Sequence, residues 1–554
     1  MPVVRIKKSR IKSFFPDYSL QKILEQLPFL GLDIESIDEN IVRVEYNPNR
    51  PDFSSDIGIF RALNGLVGRE LGIPKFNYST DPQYKIIVDN SVKKIRPFIF
   101  FFIAKNKKLT QDSLEQIISM QEDLHNGIAR GRKKASIGIH DLDKMQFPLR
   151  YSAETPDIAF VPLDQSEKYD FDEILNKLTV GQKYKHLVES FAKYPVIFDK
   201  SNMIVSFPPI INSDVTKITK QSKNLLLEIT ATHSEIALDM LSILSHYFLD
   251  EGFEIVSGLV NENNKDSFFP LKKLCNESMV VKKDYINNLL GLELSSNEII
   301  KSLKKVRIDA SKINGNDIQC AIPHYRSDIT NTIDVVEEVA LGYGIYNLEP
   351  SVPSFKITSG IKNPLIEFFN ELRKTLIGFG LLEVVNFSLV DQKSIKTIKT
   401  KQINHLWLKV NESKSSEHEF LRTSIIPSLM NNLSHNIHEE YPQKIFEIGK
   451  VFSINKEIAE KWCLGVVMSS NNMGFTETRS LLRSIIKINF GEEICTKSYE
   501  NEFFITGRSA NIYIKDSLVG VIGEVSPKVI SEYNIRVPVS AFEIVLSDFI
   551  KTLN

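Results

Sequence analysis

Four carboxylates near the middle of the chain have a spacing that suits a metal ion. Asp334, Glu337 and Glu338 stand at positions i, i+3 and i+4 of a predicted helix. The helix is expected to begin near Thr332, and Asp328 lies just before it. Three like charges on one helix face repel one another unless a cation such as Mg²⁺ compensates them. The other interpretation is a solvated acidic helix start, with Asp328 as the cap.

A basic cluster follows a different amphipathic helix. It consists of Arg130, Arg132, Lys133 and Lys134. At the C-terminal end of a helix, these side chains complement the helix dipole, which is the default interpretation. As an RNA contact they would follow phosphate groups and make binding depend on salt.

Two other polar motifs are interpreted mainly as structural. His140 stands beside Asp141 and has the chemistry of a general base, but a histidine without a metal or nucleophile partner is more often structural. The turn at 47–52 reads NPNRPD, in which Arg50 is expected to pair with Asp52 or Asp56. We assign no chemistry to this turn.

The composition excludes several classes of protein. The chain has 554 residues, too many for one hydrophobic core, and its 42% hydrophobic and 25% charged residues predict folded structure throughout. The net charge of -1 argues against a generic nucleic-acid binder and leaves only local basic patches for RNA. Cys275, Cys320, Cys463 and Cys495 form no CxxC pair, which predicts a reduced cytoplasmic protein without structural zinc.

Neither end nor middle of the sequence predicts a membrane segment. The N-terminus is basic but has no apolar core that would indicate a secretory signal. The longest apolar run, 98–104, is far shorter than the roughly 20 residues of a membrane helix. We therefore expect no membrane association.

Hydrophobic patterns divide the chain into four predicted domains of a multidomain α+β protein. Residues 1–88 form a small α/β module, and 89–266 a second α/β domain that begins with the buried strand FIFFFIA. Residues 267–352 are helix-rich, with helices expected near 284–290, 296–303 and 332–341. Residues 353–554 carry a helix after Asn363-Pro364 and then strand-like runs: LWLKV, IFEIG, LGVVM, ANIYI and AFEIVL.

Four motifs together resemble the phenylalanyl-tRNA synthetase beta-subunit family. They are NPNRPD at 47–52, GRKKASIGIHDLD at 131–143, YRSD at 325–328 with the acidic helix after it, and LRT at 421–423 followed by FEIG at 446–449. Each motif alone is weak, but their order and spacing are specific and cover essentially the whole chain. GRKKASIGIHDLD indicates the archaeal/eukaryotic branch. No oligonucleotide-binding insertion or C-terminal anticodon-binding domain is expected.

The resemblance implies the fold and role of each domain. The second domain is of the tRNA-editing type, the third is a small helical, winged-helix-like domain, and the fourth is a degenerate class II synthetase catalytic-like domain used as a subunit interface. Class II chemistry requires arginines on the ATP phosphates. The sequence around Glu447 offers no adjacent arginine, and GVIGE at 520–524 is not an arginine-bearing glycine motif. This chain alone is therefore not expected to activate an amino acid.

The resemblance also assigns two sets of site residues. The magnesium site of the family matches Asp328, Asp334, Glu337 and Glu338. The editing site of this branch matches Ser206, Asn212, Glu228 and Thr230, in SFPPIIN and LEITAT. Glu228 is expected to accept a hydrogen bond from the tyrosine phenol, while Ser206, Asn212 and Thr230 orient the ester or its attacking water. Alternatively, Ser206, Asn212 and Thr230 merely cap turns or strand ends.

Two positions depart from the family pattern. Many archaeal members have Asp where this chain has Glu228. The usual Thr-Gly-Thr is here Thr230-Ala-Thr232, and the methyl group of Ala231 is expected to narrow the backbone approach to the editing pocket.

The resemblance implies a phenylalanine-tRNA ligase beta subunit. It would pair with a catalytic alpha subunit, as two of each, to join phenylalanine to its tRNA with ATP. The alpha subunit would bind ATP and phenylalanine, while this chain would contribute to tRNA placement, hold Mg²⁺ and edit mischarged tyrosyl-tRNA. Two alternatives stay open: an RNA-binding or interaction scaffold that keeps the fold without synthetase activity, and a free-standing editing hydrolase.

Overall fold

The computed structural model describes residues 2–547 apart from 263–264, 269–276, 351, 354, 356, 397–406, 412, 414 and 456. It divides into two compact units, Met1–Val352 and Pro353–Asn554. The finer division into four domains stays a prediction. Cys275 lies outside the described residues, while Cys320, Cys463 and Cys495 are free cysteines. Within the described residues, no helix is both long and apolar enough to cross a membrane.

The first unit alternates helices and strands. Its helices are α1 Lys8–Phe14, α2 Leu20–Leu24, α3 Asp56–Leu66, α4 Gln111–Asn126, α5 Phe171–Lys177, α6 Thr179–Tyr184, α7 Ser234–Asp250, α8 Lys283–Leu290, α9 Ser296–Lys305 and α10 Thr332–Tyr343. Its strands are β1 Val3–Lys7, β2 Asp33–Ile37, β3 Ile41–Glu45, β4 Tyr78–Val88, β5 Phe98–Lys105, β6 Ala135–Asp141, β7 Leu149–Glu154, β8 Ala159–Phe160, β9 Tyr169–Asp170, β10 Tyr194–Phe198, β11 Ile204–Phe207, β12 Ile211–Asn212, β13 Leu225–Ala231, β14 Glu254–Glu262, β15 Lys265–Phe268, β16 Glu277–Lys282, β17 Asp309–Lys312 and β18 Asp317–Ile322.

A ten-stranded sheet dominates the first unit. Its strands pair in the order β12-β11-β10-β7-β4-β14-β5-β13-β6, and β15 pairs with β14. The predicted strand FIFFFIA is confirmed as β5, which is flanked by β13 and β14. A strand with neighbours on both sides and both faces covered reads as a continuous apolar run, which explains this sequence.

Helix α4 covers one face of this sheet. It begins where the Thr110 hydroxyl accepts from the backbone N–H of Ser113 at 3.0 Å. Its apolar residues Ile117, Met120 and Leu124 recur at helical spacing and are buried in the same core as α7 and β13. The amphipathic helix expected before the basic cluster is therefore confirmed as α4.

The last third of the first unit combines helices with a small sheet. The three predicted helices are confirmed as α8, α9 and α10. The sheet has the strand order β16-β18-β17, which the hydrophobic patterns did not predict. A separate sheet, β1-β3-β2, lies at the N-terminus, and β8 pairs with β9.

The second unit is an antiparallel sheet with helices. Its helices are α11 Pro364–Gly378, α12 Gln392–Lys396, α13 Ile426–His435, α14 Phe475–Phe490 and α15 Pro527–Glu532. Its strands are β19 Leu382–Glu383, β20 Leu389–Val390, β21 Phe420–Leu421, β22 Gln443–Asn455, β23 Glu457–Ser469, β24 Ile494–Ser498, β25 Phe504–Ile514, β26 Ser517–Val525 and β27 Val539–Val545. Seven strands pair in the order β19-β22-β23-β27-β26-β25-β24, and β20 pairs with β21.

Four of the five strand-like runs predicted in this unit lie in β22, β23, β25 and β27. The prediction of a strand at LWLKV is wrong for residues 407–410, where only Lys409 forms an isolated bridge, with Phe420. Leu406 lies outside the described residues. The alternation of apolar residues there predicts a strand, but this segment does not pair along its length with a neighbouring strand. Periodicity alone was therefore not enough to predict a strand correctly.

Candidate functional site

A cavity of about 280 Å³ lies against strands from the two ends of the ten-stranded sheet. One wall comes from β6 and β13, and the other comes from β11, β12 and the turn between them. Strands at opposite ends of one sheet reach the same cavity only because the sheet is curled. Three of the four predicted editing residues, Ser206, Asn212 and Glu228, line this cavity together.

Strand alternation decides which side chains of β6 and β13 face the cavity. Glu228 pairs with Gly138 and Thr230 with Ser136, so these residues share one face of the sheet. The opposite face carries Ile229 and Ala231, which are fully buried in the core with α4 and α7. The expectation that Ala231 narrows the pocket is therefore wrong, because its methyl group lies on the other side of the strand.

Glu228 and His140 bring unpaired polar atoms to the same place. Both are buried, and within the part of the chain that the structure describes, Oε2 of Glu228 and Nε2 of His140 have no hydrogen-bond partner. His140 Nε2 lies 3.9 Å from Glu228 Oε1, beyond hydrogen-bond distance. Buried polar groups are normally paired, so such atoms beside a cavity indicate a place for a ligand group.

The other ring nitrogen of His140 fixes its tautomer. Nδ1 lies 2.9 Å from the hydroxyl of Thr216, and that hydroxyl donates to the carbonyl oxygen of Ser213 at 3.3 Å. The Thr216 oxygen therefore accepts from Nδ1, which leaves Nε2 of a neutral ring as an acceptor. Both atoms thus suit a group that donates a proton, such as a phenol hydroxyl; Glu228 lines the cavity, and His140 lies behind it.

Gly138 provides the space for these two side chains. A Cβ atom at this position would lie 2.2 Å from Glu228 Oε1 and 2.7 Å from His140 Nε2. Neither approach is sterically possible without a shift of one of the two buried groups. Glu228 and His140 can therefore occupy these positions only because residue 138 has no side chain.

Thr230 lies beneath the cavity rather than in its lining. Its hydroxyl oxygen accepts from Nε of Arg96 at 2.9 Å and is 3.0 Å from the Ser136 hydroxyl. Arg96 also donates to the Thr230 and Arg132 carbonyl oxygens and to Ser136. Burial lowers the pKa of Arg96 to about 10. Arg96 was not among the predicted site residues. Its place two residues before the buried strand β5 was the one signal in the sequence that its charge would be buried.

The opposite wall is formed by Ser206 and Asn212, which pair across β11 and β12. The Ser206 hydroxyl donates to Oδ1 of Asn212 at 3.0 Å. Arg132 bridges the two walls, because its Nη1 donates to the carbonyl oxygens of Pro209 at 3.3 Å and Ile210 at 2.9 Å. The interpretation of Ser206 and Asn212 as turn caps accounts for this contact but not for the cavity that they line.

The basic cluster is divided by the structure. Helix α4 ends at Asn126, so the cluster lies in the turn after the helix rather than in its last turn. Arg132 is largely buried and pairs with Glu122 at 2.8 Å, while Arg130 and Lys133 are exposed. His140 does not pair with Asp141, whose carboxylate accepts from Ser222 at 2.6 Å.

In the acidic region, Arg326 pairs with two of the four predicted metal ligands. Its Nε and Nη2 donate to Oδ1 and Oδ2 of Asp328 at 2.9 and 2.7 Å. Its Nη1 donates to Oε2 of Glu338 at 3.1 Å, and its Nη2 to Oε1. Burial alone would raise the pKa of Asp328, but the charge and hydrogen bonds of Arg326 lower it below its usual value.

The other two carboxylates have different surroundings. Oδ2 of Asp334 accepts from the backbone N–H groups of Thr330 at 2.8 Å and Asn331 at 2.7 Å, and Glu337 is exposed. The N-cap of α10 is Asn331, so the prediction of Asp328 as the cap is wrong. Among the described residues, no group of three or more His, Cys, Asp or Glu side chains is placed to hold a metal ion. The four carboxylates therefore do not form one ligand set here.

The second unit contains a buried arginine beside Glu447. Nη2 of Arg422 lies 2.6 Å from Oε1 of Glu447, and Nε donates to the Lys450 carbonyl oxygen at 2.9 Å. The sequence around Glu447 showed no adjacent arginine; the fold supplies one from the LRT motif. Its charge is neutralised by Glu447, so this guanidinium is not free to bind a phosphate group.

Three family models match the chain in succession. They are the B3/4 domain at residues 83–248, the tRNA synthetase B5 domain at 279–345, and the phenylalanyl tRNA synthetase beta chain CLM domain at 348–546. The phenylalanine–tRNA ligase beta subunit of Archaeoglobus fulgidus is 36% identical over 534 residues, covering 96% of this chain and 95% of the relative. That of Methanococcus aeolicus is 35% identical over 559 residues, covering 98% and 99%.

A solved structure is similar to part of the chain. It is an N-terminal fragment of the phenylalanyl-tRNA synthetase beta subunit from Pyrococcus horikoshii, with a TM-score of 0.59 and 28% identity. The similarity covers 62% of this chain and 100% of the fragment.

Proposed function

Because the chain belongs to the phenylalanyl-tRNA synthetase beta-subunit family, we propose that it works with a catalytic alpha subunit to join phenylalanine to its tRNA at the expense of ATP. The similarity to relatives over nearly their whole length supports this proposal. The alpha subunit binds ATP and phenylalanine, and the complex contains two subunits of each kind in the cytoplasm. This chain contributes a subunit interface and part of the tRNA contact.

The Arg422–Glu447 pair supports the division of labour. Adenylate formation requires cationic groups that stabilise the charge on the ATP phosphates. In this chain Arg422 is buried and committed to Glu447. Phenylalanine-dependent tRNA charging, measured with this chain alone and with its co-expressed alpha subunit, tests the proposal. Activity only in the mixture supports it, and charging by this chain alone contradicts it.

The cavity between β13 and β11 is proposed to edit tyrosyl-tRNA. Tyrosine differs from phenylalanine by one hydroxyl, which an apolar synthetic site rejects poorly. The observation that carries the editing proposal is the unpaired Oε2 of buried Glu228 beside the cavity. The phenol hydroxyl donates to Glu228, with His140 Nε2 as the neighbouring acceptor. Phenylalanine offers no such donor and leaves both groups unpaired, so it is discriminated against.

Hydrolysis needs a water molecule and an oriented ester. Ser206 and Asn212 face Glu228 across the cavity, and we assign them to hold the ester or the water. Water adds to the ester carbonyl, the bond to the ribose oxygen breaks, and tyrosine leaves with its carboxylate as the tRNA regains its hydroxyl. Thr230, which lies beneath the cavity, positions the site through Arg96 and Ser136.

Deacylation of preformed tyrosyl-tRNA tests editing separately from charging. The assembled complex is expected to hydrolyse tyrosyl-tRNA much faster than phenylalanyl-tRNA, and a Ser206→Ala, Asn212→Ala variant is expected to lose most of that activity while charging persists. Equal hydrolysis of both substrates would contradict the assignment of Glu228. Deacylation by this chain without its partner would favour a free-standing hydrolase.

Magnesium is proposed only for the assembled enzyme. Asp328, Asp334, Glu337 and Glu338 are the proposed ligands, but the fit is partial because Arg326 engages Asp328 and Glu338. In the assembled enzyme Arg326 must therefore leave these two carboxylates, and ligands of the alpha subunit complete the coordination. Metal analysis of the EDTA-treated complex, reloaded with Mn²⁺, tests this proposal. Bound Mn²⁺ that is unaffected by Asp334→Asn and Glu337→Gln would contradict these ligands.

A further inference from the structure

A single guanidinium satisfies two carboxylates, those of the half-buried Asp328 before α10 and of the buried Glu338 within α10. Each of the four oxygens of Asp328 and Glu338 accepts a hydrogen bond from Arg326. Arg326 and Glu338 are only 4% and 5% exposed, so water does not supply these hydrogen bonds. A planar fork of donors suits two carboxylates at once, whereas a lysine would offer a single point charge.

A second arginine extends this arrangement toward the N-terminus. Nε of Arg50 lies 3.9 Å from Oδ1 of Asp328, and Arg50 also binds both carboxylate oxygens of Asp52, at 2.9 and 2.8 Å. Charges therefore alternate along a buried series, which we call the ion chain: Glu338, Arg326, Asp328, Arg50 and Asp52. It joins the NPNRPD turn to the YRSD motif and to α10.

We propose that Arg326 is the resident cation of the ion chain and that, in this chain on its own, it keeps Mg²⁺ off Asp328 and Glu338. Mg²⁺ requires oxygen ligands at about 2.0–2.1 Å in a near-octahedral arrangement. The oxygens of these two residues instead surround a guanidinium that fills the space between them. A metal ion must first displace Arg326, which would bury an unpaired positive charge.

The carboxylates outside the ion chain do not replace this site. Oδ2 of Asp334 is held by two backbone N–H groups, and Glu337 is exposed. Two such groups supply too few fixed oxygens to strip water from Mg²⁺, which dehydrates reluctantly. The inference concerns the chain alone and stands whether or not the assembled enzyme holds magnesium.

The first test starts from the unmodified chain. The full-length chain is treated with EDTA, and Mn²⁺ binding is followed by electron paramagnetic resonance, with the melting temperature measured in EDTA and in Mg²⁺. The expected result is no saturable site tighter than about 1 mM and an unchanged melting temperature. One tightly bound Mn²⁺ that is lost on Asp328→Asn or Glu338→Gln would overturn the proposal.

The second test replaces the arginine. Arg326→Gln leaves the buried Glu338 without a cationic partner and Asp328 with only the 3.9 Å contact to Arg50, and it is expected to lower the melting temperature by about 5–10 °C. Because the freed oxygens then face one another, Mn²⁺ is expected to restore part of that loss in the variant but to leave the wild type unchanged. Arg130→Gln, which removes an exposed arginine, is the control and should not respond. A variant that Mn²⁺ does not stabilise would show that Arg326 does not stand in for a metal ion.

Discussion

Glu228 and Glu338 are both buried carboxyl groups, yet their surroundings differ completely. Their exposed fractions are 1% and 5%. Both oxygens of Glu338 accept from Arg326, whereas Oε2 of Glu228 lies at a cavity and has no hydrogen-bond partner among the described residues. Burying a charged group is unfavourable unless a partner compensates it. A buried carboxyl group that is paired within the protein is already compensated, and one left unpaired beside a cavity is available to a ligand.

The largest expected effect comes from removing the unpaired acceptor. Glu228→Leu keeps most of the volume but cannot accept a phenol hydroxyl, and a hydrogen bond to a charged group contributes about 1.5–3 kcal/mol. We expect kcat/KM for deacylation of tyrosyl-tRNA to fall by about 100-fold, with charging of phenylalanine unchanged. Glu189→Leu, which changes an exposed glutamate in the turn before β10 and outside the cavity lining, is the control. Unchanged deacylation would remove Glu228 from the site.

A smaller effect is expected from filling the space beside Glu228 without removing it. The Cβ of Gly138→Ala would approach both Glu228 and His140 closely and displace at least one of them. Loss of about 1–2 kcal/mol of binding predicts a roughly 5- to 30-fold decrease in deacylation. Gly315→Ala is the control, since no atom lies within 4 Å of the Cβ added there. Equal activity of both variants would show that the pair tolerates crowding.

His246 allows an unpaired atom in the core to be compared with one at the cavity. Counting only the residues that the structure describes, its Nε2 also has no hydrogen-bond partner, but His246 does not line the cavity. Burial lowers the pKa of His246 to about 3. The unfolded value is about 6.5, so the unfolded chain binds more protons below that pH and stability is lost as pH falls. By pH 5 this amounts to about 2 kcal/mol.

The corresponding variant is His246→Phe. We expect it to flatten the pH dependence of the urea midpoint between pH 7 and 5 and to leave deacylation unchanged. His186→Phe, an exposed histidine, should leave the pH dependence as it is. Reduced deacylation in His246→Phe would mean that unpaired atoms away from the cavity also affect the site.

The smallest effects are expected at the exposed basic residues. Arg130 and Lys133 are exposed, whereas Arg132 is held by Glu122 and two carbonyl oxygens. Arg130→Ala and Lys133→Ala should each weaken tRNA binding a few-fold and reduce the slope of log K against log salt by about 1. Arg43→Ala, which removes a half-buried arginine that lies 3.5 Å from Asp38, is the control. An unchanged slope would assign both residues to the solvated surface.

Glu447 in the second unit is a third buried carboxyl group that can be compared with Glu228 and Glu338. This residue is 2% exposed and is paired with Arg422, so it resembles Glu338 rather than Glu228. The absence of a neighbouring arginine in the sequence was interpreted as a loss of the ability to activate an amino acid. The fold instead places an arginine there and neutralises it, which leads to the same functional conclusion for a different physical reason.

Local patterns predicted much of the secondary structure. The apolar run of β5 and the spacing of α4, α7 and α10 follow from burial on a sheet face, which depends on neighbours in sequence. The prediction of a strand at LWLKV is wrong because strand pairing depends on a partner that the local sequence does not reveal. The motif positions also identified Ser206, Asn212 and Glu228, which the fold brings to one cavity.

The sequence by itself determined the order of the motifs, the carboxylate spacing on α10 and the alternation that places Glu228 and Thr230 on one strand face. Only the tertiary structure decided which of these groups are paired. Arg326, Arg96 and Arg422 reach their partners through folding, and the curl of the sheet brings β11 beside β13. Periodicity fixes the direction of a side chain, but the electrostatic environment of a buried charge depends on residues distant in sequence.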